Sequence, residues 1–302
     1  MRRTSARVEL TRTVNAAPRL DRRDLLEVLE DHRDRTFRRT LKARVSDEAS
    51  ALDFINEVGF CSAFTHGLGL PCLREAIAGE REPALPEHIQ HDYAIGLTWR
   101  LKDSLPAKRA VYYGKVVGGR PGFVSLELLP AFLRLRLRPG SYLHHFRRGE
   151  LSLCGKLIMD VLTKRGTCET AVLKLSSGYH GPRKRPTFER AMRELQERFL
   201  ALKVEERSDP FSYVWDTMRA RFSDALSNSR KLRPQAAAIQ ILSRYFEVAG
   251  FGTERSVARI LAIPSPLAAS GVARLARERI VTRNCKIEGL VGPQTILSRL
   301  LS

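Results

Sequence analysis

The sequence predicts a mostly α-helical protein with small β-wings. Amphipathic runs with the spacing of one helix face make up most of the chain. Short runs that alternate apolar with polar residues, as half-buried strands do, follow some of these helices. In the second half of the chain three helices precede a two-stranded hairpin, and the order recurs towards the C-terminus. This is the order of a helix-turn-helix with an added wing, so the predicted fold is a tandem array of winged-helix (helix-turn-helix) domains.

The chain carries a large excess of positive charge. Its 302 residues include 52 Lys and Arg against 33 Asp and Glu, for a formal net charge of +19. An excess of this size indicates a polyanionic partner, with double-stranded DNA as the first candidate and an anionic membrane surface as the second. The alternative is that the surplus arginine is compositional and lies on solvated faces. With 43% apolar residues, the chain can build hydrophobic cores and is long enough for two or three domains.

The cysteines and the N-terminus are typical of an intracellular protein. The five cysteines form no CxxC pair and their odd number gives no disulfide framework, so we expect reduced and mostly buried thiols. The sequence contains neither a membrane-spanning apolar run nor the apolar core of a signal peptide. It also contains no P-loop, GxGxxG or GxSxG pattern, and no cofactor is expected. We therefore expect a soluble, cytoplasmic, nucleoid-associated protein with no membrane partner.

Changes in pattern predict four segments. Residues 1–20 are a basic arm, and residues 21–150 form a winged-helix-like domain with an enlarged β-hairpin. Residues 151–230 and 231–302 then form two further winged-helix domains.

The first of these domains is predicted from two helices and a hairpin. Asp47–Cys61 has the spacing of a helix, and GGRPG (118–122) between runs rich in Val and Tyr is a hairpin signal. Lys115 lies on one arm of this hairpin and Arg120 at its tip. The following stretch FLRLRLRP (132–139) fits a strand with one basic face, and the end of a helix before Pro139 is a nearly equal alternative.

The second domain begins with a helix over Leu151–Arg165, and Thr167 is a candidate N-cap for the next helix. The third helix follows RKR (183–185) and ends before a strand at 200–205 and a turn at Ser208–Pro210. Its predicted inward face consists of Phe188, Ala191, Met192, Leu195 and Phe199.

The third domain repeats this pattern. Helices are predicted over Gln235–Ala249 and from an N-cap at Thr253, and Ser265 is the predicted N-cap of the last helix. Matching ERF (197–199) with ERI (278–280) gives an offset of 81 residues.

Basic residues crowd the start of the helix after RKR, where the helix dipole is already positive. The side chains of Arg183, Lys184 and Arg185, with free backbone N–H groups, predict a phosphate site there. Arg190, Arg193 and Glu197 fall on the outward side of the helix. Thr187, Arg190 and Arg193 are expected to reach into the major groove. Further DNA contacts are predicted at Lys115, Arg120, Arg274 and Arg277. The alternative is a solvated helix with ion pairs such as Arg190–Glu194.

Several histidines have weaker signals. His88, His91 and Asp92 have a spacing that could bind a metal, but no fourth ligand is evident and no metal is expected. His144 and His145, beside two arginines, are expected on a basic surface.

The blocks TWRLKDSLPAKRAVYYGKVV (98–117) and FVSLELLPAFL (123–133), with the repeated helix–hairpin order, resemble the AlkZ-like winged-helix DNA glycosylases. The resemblance covers roughly residues 45–285 and implies tandem winged helices that excise alkylated or crosslinked bases. The family's catalytic Gln-x-Gln or Gln-x-Asp is expected in FINEVGF (54–60), which contains no glutamine. The C-terminal barrel of that family is expected to be missing.

Asn56 and Glu57 are the polar residues that stand in this segment, and together they could orient and activate a water for N-glycosidic cleavage. Their simpler interpretation is that they occupy the polar side of a helix. If excision is retained, the hairpin at 118–122 is expected to press on the duplex while the base is exposed.

The predicted function is therefore duplex DNA binding in repair of damaged DNA, with base excision left open. Two alternatives remain: a winged-helix transcriptional regulator without enzymatic activity, and an array whose winged helices bind protein.

Overall fold

The computed structural model of the chain describes residues 22–209 and 211–302, and the predicted arm at 1–20 lies outside them. The α-helices are α1 (Arg22–Thr36), α2 (Glu48–Val58), α3 (Leu73–Ala78), α4 (Tyr93–Ala107), α5 (Leu129–Arg136), α6 (Tyr142–Arg147), α7 (Leu153–Arg165), α8 (Thr170–Ser176), α9 (Arg185–Glu197), α10 (Met218–Arg221), α11 (Ser223–Lys231), α12 (Pro234–Ala249), α13 (Glu254–Leu261) and α14 (Ser265–Arg277). The β-strands are β1 (Phe60–Ser62), β2 (Val111–Val117), β3 (Arg120–Ser125), β4 (Cys168–Glu169), β5 (Ala201–Ser208), β6 (Phe211–Thr217), β7 (Phe251–Gly252), β8 (Val281–Cys285) and β9 (Gln294–Leu297). Among the described helices, none combines the length and the apolarity needed to cross a bilayer.

One order of elements occurs three times along the chain. It runs helix, strand, helix, helix, strand, strand, first from α2 to β3, then from α7 to β6, and then from α12 to β9. In each repeat the three strands form an antiparallel sheet with the last strand between the other two. The mostly helical fold with small sheets is therefore as the sequence predicts.

A glycine ends the first helix of every repeat. Gly59, Gly166 and Gly250 have φ values of 79°, 77° and 76°, a left-handed backbone that costs glycine little. Each N–H donates to a carbonyl four residues back and closes the last helical turn. The chain leaves the helix there and enters the short first strand of the sheet.

The third helix of every repeat also ends in one conformation. Arg109, Phe199 and Arg279 have φ values of 57°, 53° and 59°, and the N–H of the next residue returns to the carbonyl five positions back. Phe199 and Arg279 are therefore equivalent, which gives an offset of 80 residues (279 minus 199). The offset of 81 predicted from ERF and ERI is wrong by one residue. The residue with positive φ is the third of ERF but the second of ERI, so the two similar triplets do not occupy equivalent positions.

One stretch of the first repeat differs from its prediction, and one stretch after that repeat decides between two alternatives. α2 stops at Val58, so Phe60 and Cys61 belong to strand β1 and not to the predicted helix Asp47–Cys61. The stretch 132–139 is the end of helix α5 and not a strand, because Leu129, Phe132 and Leu133 are buried on one helix face.

The predicted N-caps are right in one case and wrong in two. Thr253 caps α13, and its side chain accepts a hydrogen bond from the N–H of Ser256. Thr167 does not cap α8, since its hydroxyl donates to Asp216 at 3.1 Å. Ser265 is the first residue of α14, which Pro264 precedes as N-cap.

The buried residues form two main cores. The first and third repeats share one core, to which Phe54 of α2, Phe132 of α5 and Phe246 of α12 belong. The second repeat contributes Leu202 and Val214 of its hairpin to this core and also has a separate core that includes Phe188 and Trp215. Repeats that are distant in sequence are thus joined by one hydrophobic interior.

A cluster of charges links the first and second repeats. The Lys102 ammonium on α4 is only 3% exposed and donates to Glu206 of β5 at 2.8 Å and to Asp103 at 2.9 Å. Lys203 of β5 donates to the same Glu206 carboxylate at 2.9 Å. Burial opposes ionisation of Glu206, but the hydrogen bonds from both lysines lower its pKa. The cluster fixes β5 along α4.

The hairpin β2–β3 of the first repeat is attached to the third repeat. The N–H of Gly118, at the hairpin tip, donates to the Ile260 carbonyl of α13 at 2.7 Å. Arg136 donates to the carbonyls of Val116 and Leu261 at 2.6 and 2.9 Å, and its burial lowers its pKa to about 10. This hairpin therefore acts as a connector between repeats.

Candidate nucleic-acid interface

Helix α9 has the orientation that its sequence predicts. Phe188, Ala191, Met192 and Leu195 are buried against the core of the second repeat. Thr187, Arg190 and Arg193 lie on the opposite side and are exposed. The helix therefore presents cations to solvent while its apolar face holds it in place.

The start of α9 differs from the predicted phosphate site in its backbone. The turn Pro182–Lys184 runs directly into the helix, and the N–H groups of Lys184 and Arg185 bond to the carbonyls of Gly181 and Pro182. Pro186 has no N–H to offer. Few backbone donors remain for an anion, so any phosphate here would be held mainly by side chains.

The acidic residues of α9 are occupied by neighbours. Arg185 donates to Glu189 at 2.7 Å, and this bond lowers the pKa of Glu189. Glu194 accepts from the Ser152 hydroxyl at 2.7 Å and lies near Arg198, so the predicted pair Arg190–Glu194 is wrong. Among the described residues, Arg183, Arg190 and Arg193 have no carboxylate partner, and they supply the positive charge of this face.

The cations of the first hairpin are exposed, and the hairpin tip is bonded to the third repeat. Lys115 and Arg120 reach solvent, whereas the tip at Gly118 is bonded to Ile260. That the loop at 118–122 presses on a duplex remains a prediction. Contact of Lys115 and Arg120 with a phosphate remains a prediction.

The third helix of the third repeat is less basic than α9. Arg274 and Arg277 are exposed at the end of α14 and not at its start, and Arg274 is paired with Glu278 at 2.8 Å. On α4, the corresponding helix of the first repeat, Arg100 is exposed while Lys102 is enclosed by the charge cluster. Of the three third helices, α9 thus presents the most exposed positive charge.

Asn56 and Glu57 lie at the exposed end of α2. Glu57 is ion-paired with Arg38 at 2.7 Å and lines a cavity of about 310 Å³ with Arg35 and Arg299. The backbone carbonyls of Asn56 and Glu57 accept hydrogen bonds from Arg244 of α12. Glu57 is therefore one of the residues at the edge of this cavity, and its catalytic role remains a prediction. The arginines around it are far apart in the sequence, and no local pattern could have indicated them.

The structure also places the predicted histidines. Asp92 is the N-cap of α4 and accepts from the Ile95 N–H at 2.6 Å, so its carboxylate already has a structural partner. His145 is buried and bonded to Glu150 at 2.9 Å, so its prediction as part of a basic surface is wrong. Hydrogen bonds from His145 and Arg148 lower the pKa of Glu150 to about 2.

Comparison with known proteins identifies relatives of this chain. Residues 45–262 match the model of the family described as AlkZ related. The solved structure of the Streptomyces sahachiroi DNA glycosylase AlkZ is similar in fold, with a TM-score of 0.55 and 14% sequence identity over 90% of this chain and 69% of that one. The comparison with curated proteins gave no match. Because the family model covers well over half of the sequence, the chain belongs to the AlkZ-related family.

Proposed function

We propose that this chain is a duplex DNA-binding protein of three winged helices that acts in repair of damaged DNA. The winged-helix units would occupy residues 21–150, 151–230 and 231–302, with the paired last strands of each repeat as its wing. The AlkZ-related family and the likeness to a DNA glycosylase fold support this role.

The observation that carries the proposal is the outward face of α9. In a winged helix the third helix enters the major groove, and α9 holds that position in the second repeat. Its apolar side is buried, Arg190 and Arg193 extend from its exposed side, and Arg183 lies in the turn before it. None of these three arginines has a carboxylate partner in the described part of the chain. A duplex would supply the missing negative charge.

Replacing Arg183, Arg190 and Arg193 together by Ala should weaken duplex binding and its dependence on salt. Each neutralised phosphate contributes about 0.9 to the slope of log affinity against log salt, so the slope should fall by about 2 to 3. Fluorescence titration of a labelled duplex at several salt concentrations measures this slope.

The matched control replaces Arg44, Arg219 and Arg230, which are also exposed and have no carboxylate partner among the described residues. It removes the same charge from other surfaces. Equal losses in both triple variants would show that binding follows net charge and that α9 is not a specific contact.

Base excision is a second part of the proposal and rests on Glu57. Hydrolysis of an N-glycosidic bond by a monofunctional glycosylase needs a positioned water and a group that accepts its proton. Glu57 lines a cavity, and its carboxylate lies 2.7 Å from the Arg38 guanidinium. Asn56 is the neighbouring polar side chain that would help to orient the water.

Glu57→Gln should lower excision of an alkylated base by about 100-fold or more while duplex affinity is retained. Single-turnover release of the base from matched alkylated and intact duplexes measures the reaction. Asp53→Asn, which changes an exposed carboxylate one turn earlier on α2, is the control and should be as active as the wild type. A wild-type protein that leaves alkylated duplex uncut but prefers one sequence would instead support the transcriptional regulator.

A further inference from the structure

Two adjoining cavities open where α1, α12 and the C-terminal segment meet. Their volumes are about 310 and 290 Å³, and both are lined by Glu247 and Arg299. We call this surface the arginine cleft. Its charged lining residues are Arg35, Glu57, Arg244, Glu247, Arg279 and Arg299.

Both carboxylates of the arginine cleft already have cationic partners. Glu57 is paired with Arg38 at 2.7 Å, and Glu247 lies 3.8 Å from the Arg244 guanidinium. Arg244 is held in turn by the backbone carbonyls at the end of α2. These groups neutralise one another and leave the cleft's other arginines uncompensated.

The remaining arginines have no carboxylate within 4.0 Å in the described part of the chain. Arg35, Arg279 and Arg299 are exposed and come from the end of α1, the residues after α14 and the C-terminal turn. Burial lowers the pKa of the neighbouring His32, the hydrogen bond with the Glu247 backbone opposes this, and the charges of Arg299 and Arg35 lower the pKa further. Three unpaired cations converge on one concave surface.

The walls of the arginine cleft are fixed by bonds between α1 and the end of α12. The Thr36 hydroxyl donates to the Val248 carbonyl at 2.6 Å, and His32 bonds to the Glu247 carbonyl at 2.9 Å. Arg33 donates to the Ala249 carbonyl at 2.9 Å. A preformed site of this kind binds a ligand without first ordering its own backbone.

The chemistry of the lining indicates phosphate and not a base. Arginine presents a planar set of donors that matches phosphate oxygens. Among the residues that the structure describes, no aromatic side chain lines either cavity, so a nucleobase would find no stacking partner there. Two cavities that share a wall provide room for more than one phosphate.

We propose that the arginine cleft binds consecutive phosphates of a DNA strand, as a second contact separate from α9. The inference rests on the proposed DNA binding. It adds the path of the DNA strand beyond the groove that α9 enters. Arg35, Arg279 and Arg299 hold the phosphates, and Arg244 positions the wall at the end of α2. This contact would bring the strand past Glu57.

The test replaces Arg35, Arg279 and Arg299 by Ala in the full chain. The slope of log affinity against log salt for a long duplex should fall by about 2 to 3, as three phosphate contacts require. Combining this variant with the α9 variant should lower the slope further by a similar amount. The Arg44, Arg219 and Arg230 triple variant is again the control, and thermal melting checks that every variant is folded.

The outcomes separate this inference from the proposed function. A reduced slope in the α9 variant with an unchanged slope in the cleft variant would overturn the second contact and leave DNA binding intact. A wild-type protein that binds no duplex would overturn both. Inorganic pyrophosphate and ATP are tested by calorimetry in parallel. If the cleft variant no longer binds pyrophosphate or ATP but binds DNA as the wild type does, the cleft is a site for free polyphosphates and the proposal is contradicted.

Discussion

We expect Phe246→Ala to lower the free energy of unfolding by about 3 to 5 kcal/mol, the range for removal of a large buried aromatic side chain. Phe246 of α12 is fully buried in the core that the first and third repeats share. The substitution leaves a cavity that rigid neighbours on both repeats can fill only in part. Urea denaturation followed by fluorescence measures the loss.

The two tryptophans of the chain allow fluorescence to follow the unfolding of the two cores separately. Trp99 lies on α4 of the first repeat, and Trp215 belongs to the separate core of the second. Phe188→Ala is the matched control, because Phe188 is an equally buried phenylalanine of that second core. With single-tryptophan variants, Phe246→Ala should shift the Trp99 transition most and Phe188→Ala the Trp215 transition. Identical shifts of both signals in both variants would show one cooperative unit instead.

Lys102→Met should destabilise the protein by about 3 kcal/mol, at the lower end of the range for breaking a buried ion pair. The substitution conserves volume but leaves Glu206, which is half-buried, with Lys203 as its remaining ammonium partner. Thermal or urea unfolding measures the effect, and Arg100→Ala on the exposed side of α4 should stay within about 0.5 kcal/mol of the wild type.

A double-mutant cycle with Glu206→Gln isolates the interaction. If the ion pair fixes β5 to α4, the double variant should lose less stability than the sum of the two single variants. Additive losses, or a Lys102→Met variant as stable as the wild type, would show that the cluster contributes no net stability.

Local patterns predicted the faces of the helices and the position of the hairpins. The inward residues of α9, from Phe188 to Leu195, recur with the period of a helix because one face of this helix is buried. Gly118 and Gly119, with φ values of 60° and 68°, supply the left-handed turn that the GGRPG signal indicated. Features of this kind depend on neighbouring residues and can be read from the sequence.

Contacts between repeats could not be predicted in the same way. The arginine cleft joins Arg35 to Arg299, and the hairpin tip at Gly118 bonds to Ile260, across most of the chain. The predicted N-cap at Thr167 failed for a related reason, because its hydroxyl donates to Asp216 of a distant strand. Tertiary partners decide such choices, and a single sequence does not contain them.

The bond between Gly118 and Ile260 has a consequence for how the chain can be divided. α12 packs against α2 and α5, and the first hairpin docks on α13, so the first and last repeats touch although the second lies between them in sequence. A chain that stops at residue 231 would leave Phe54 and Phe132 without their cover from α12. The third repeat is therefore not a removable module, because the first and last repeats of the series pack directly against each other.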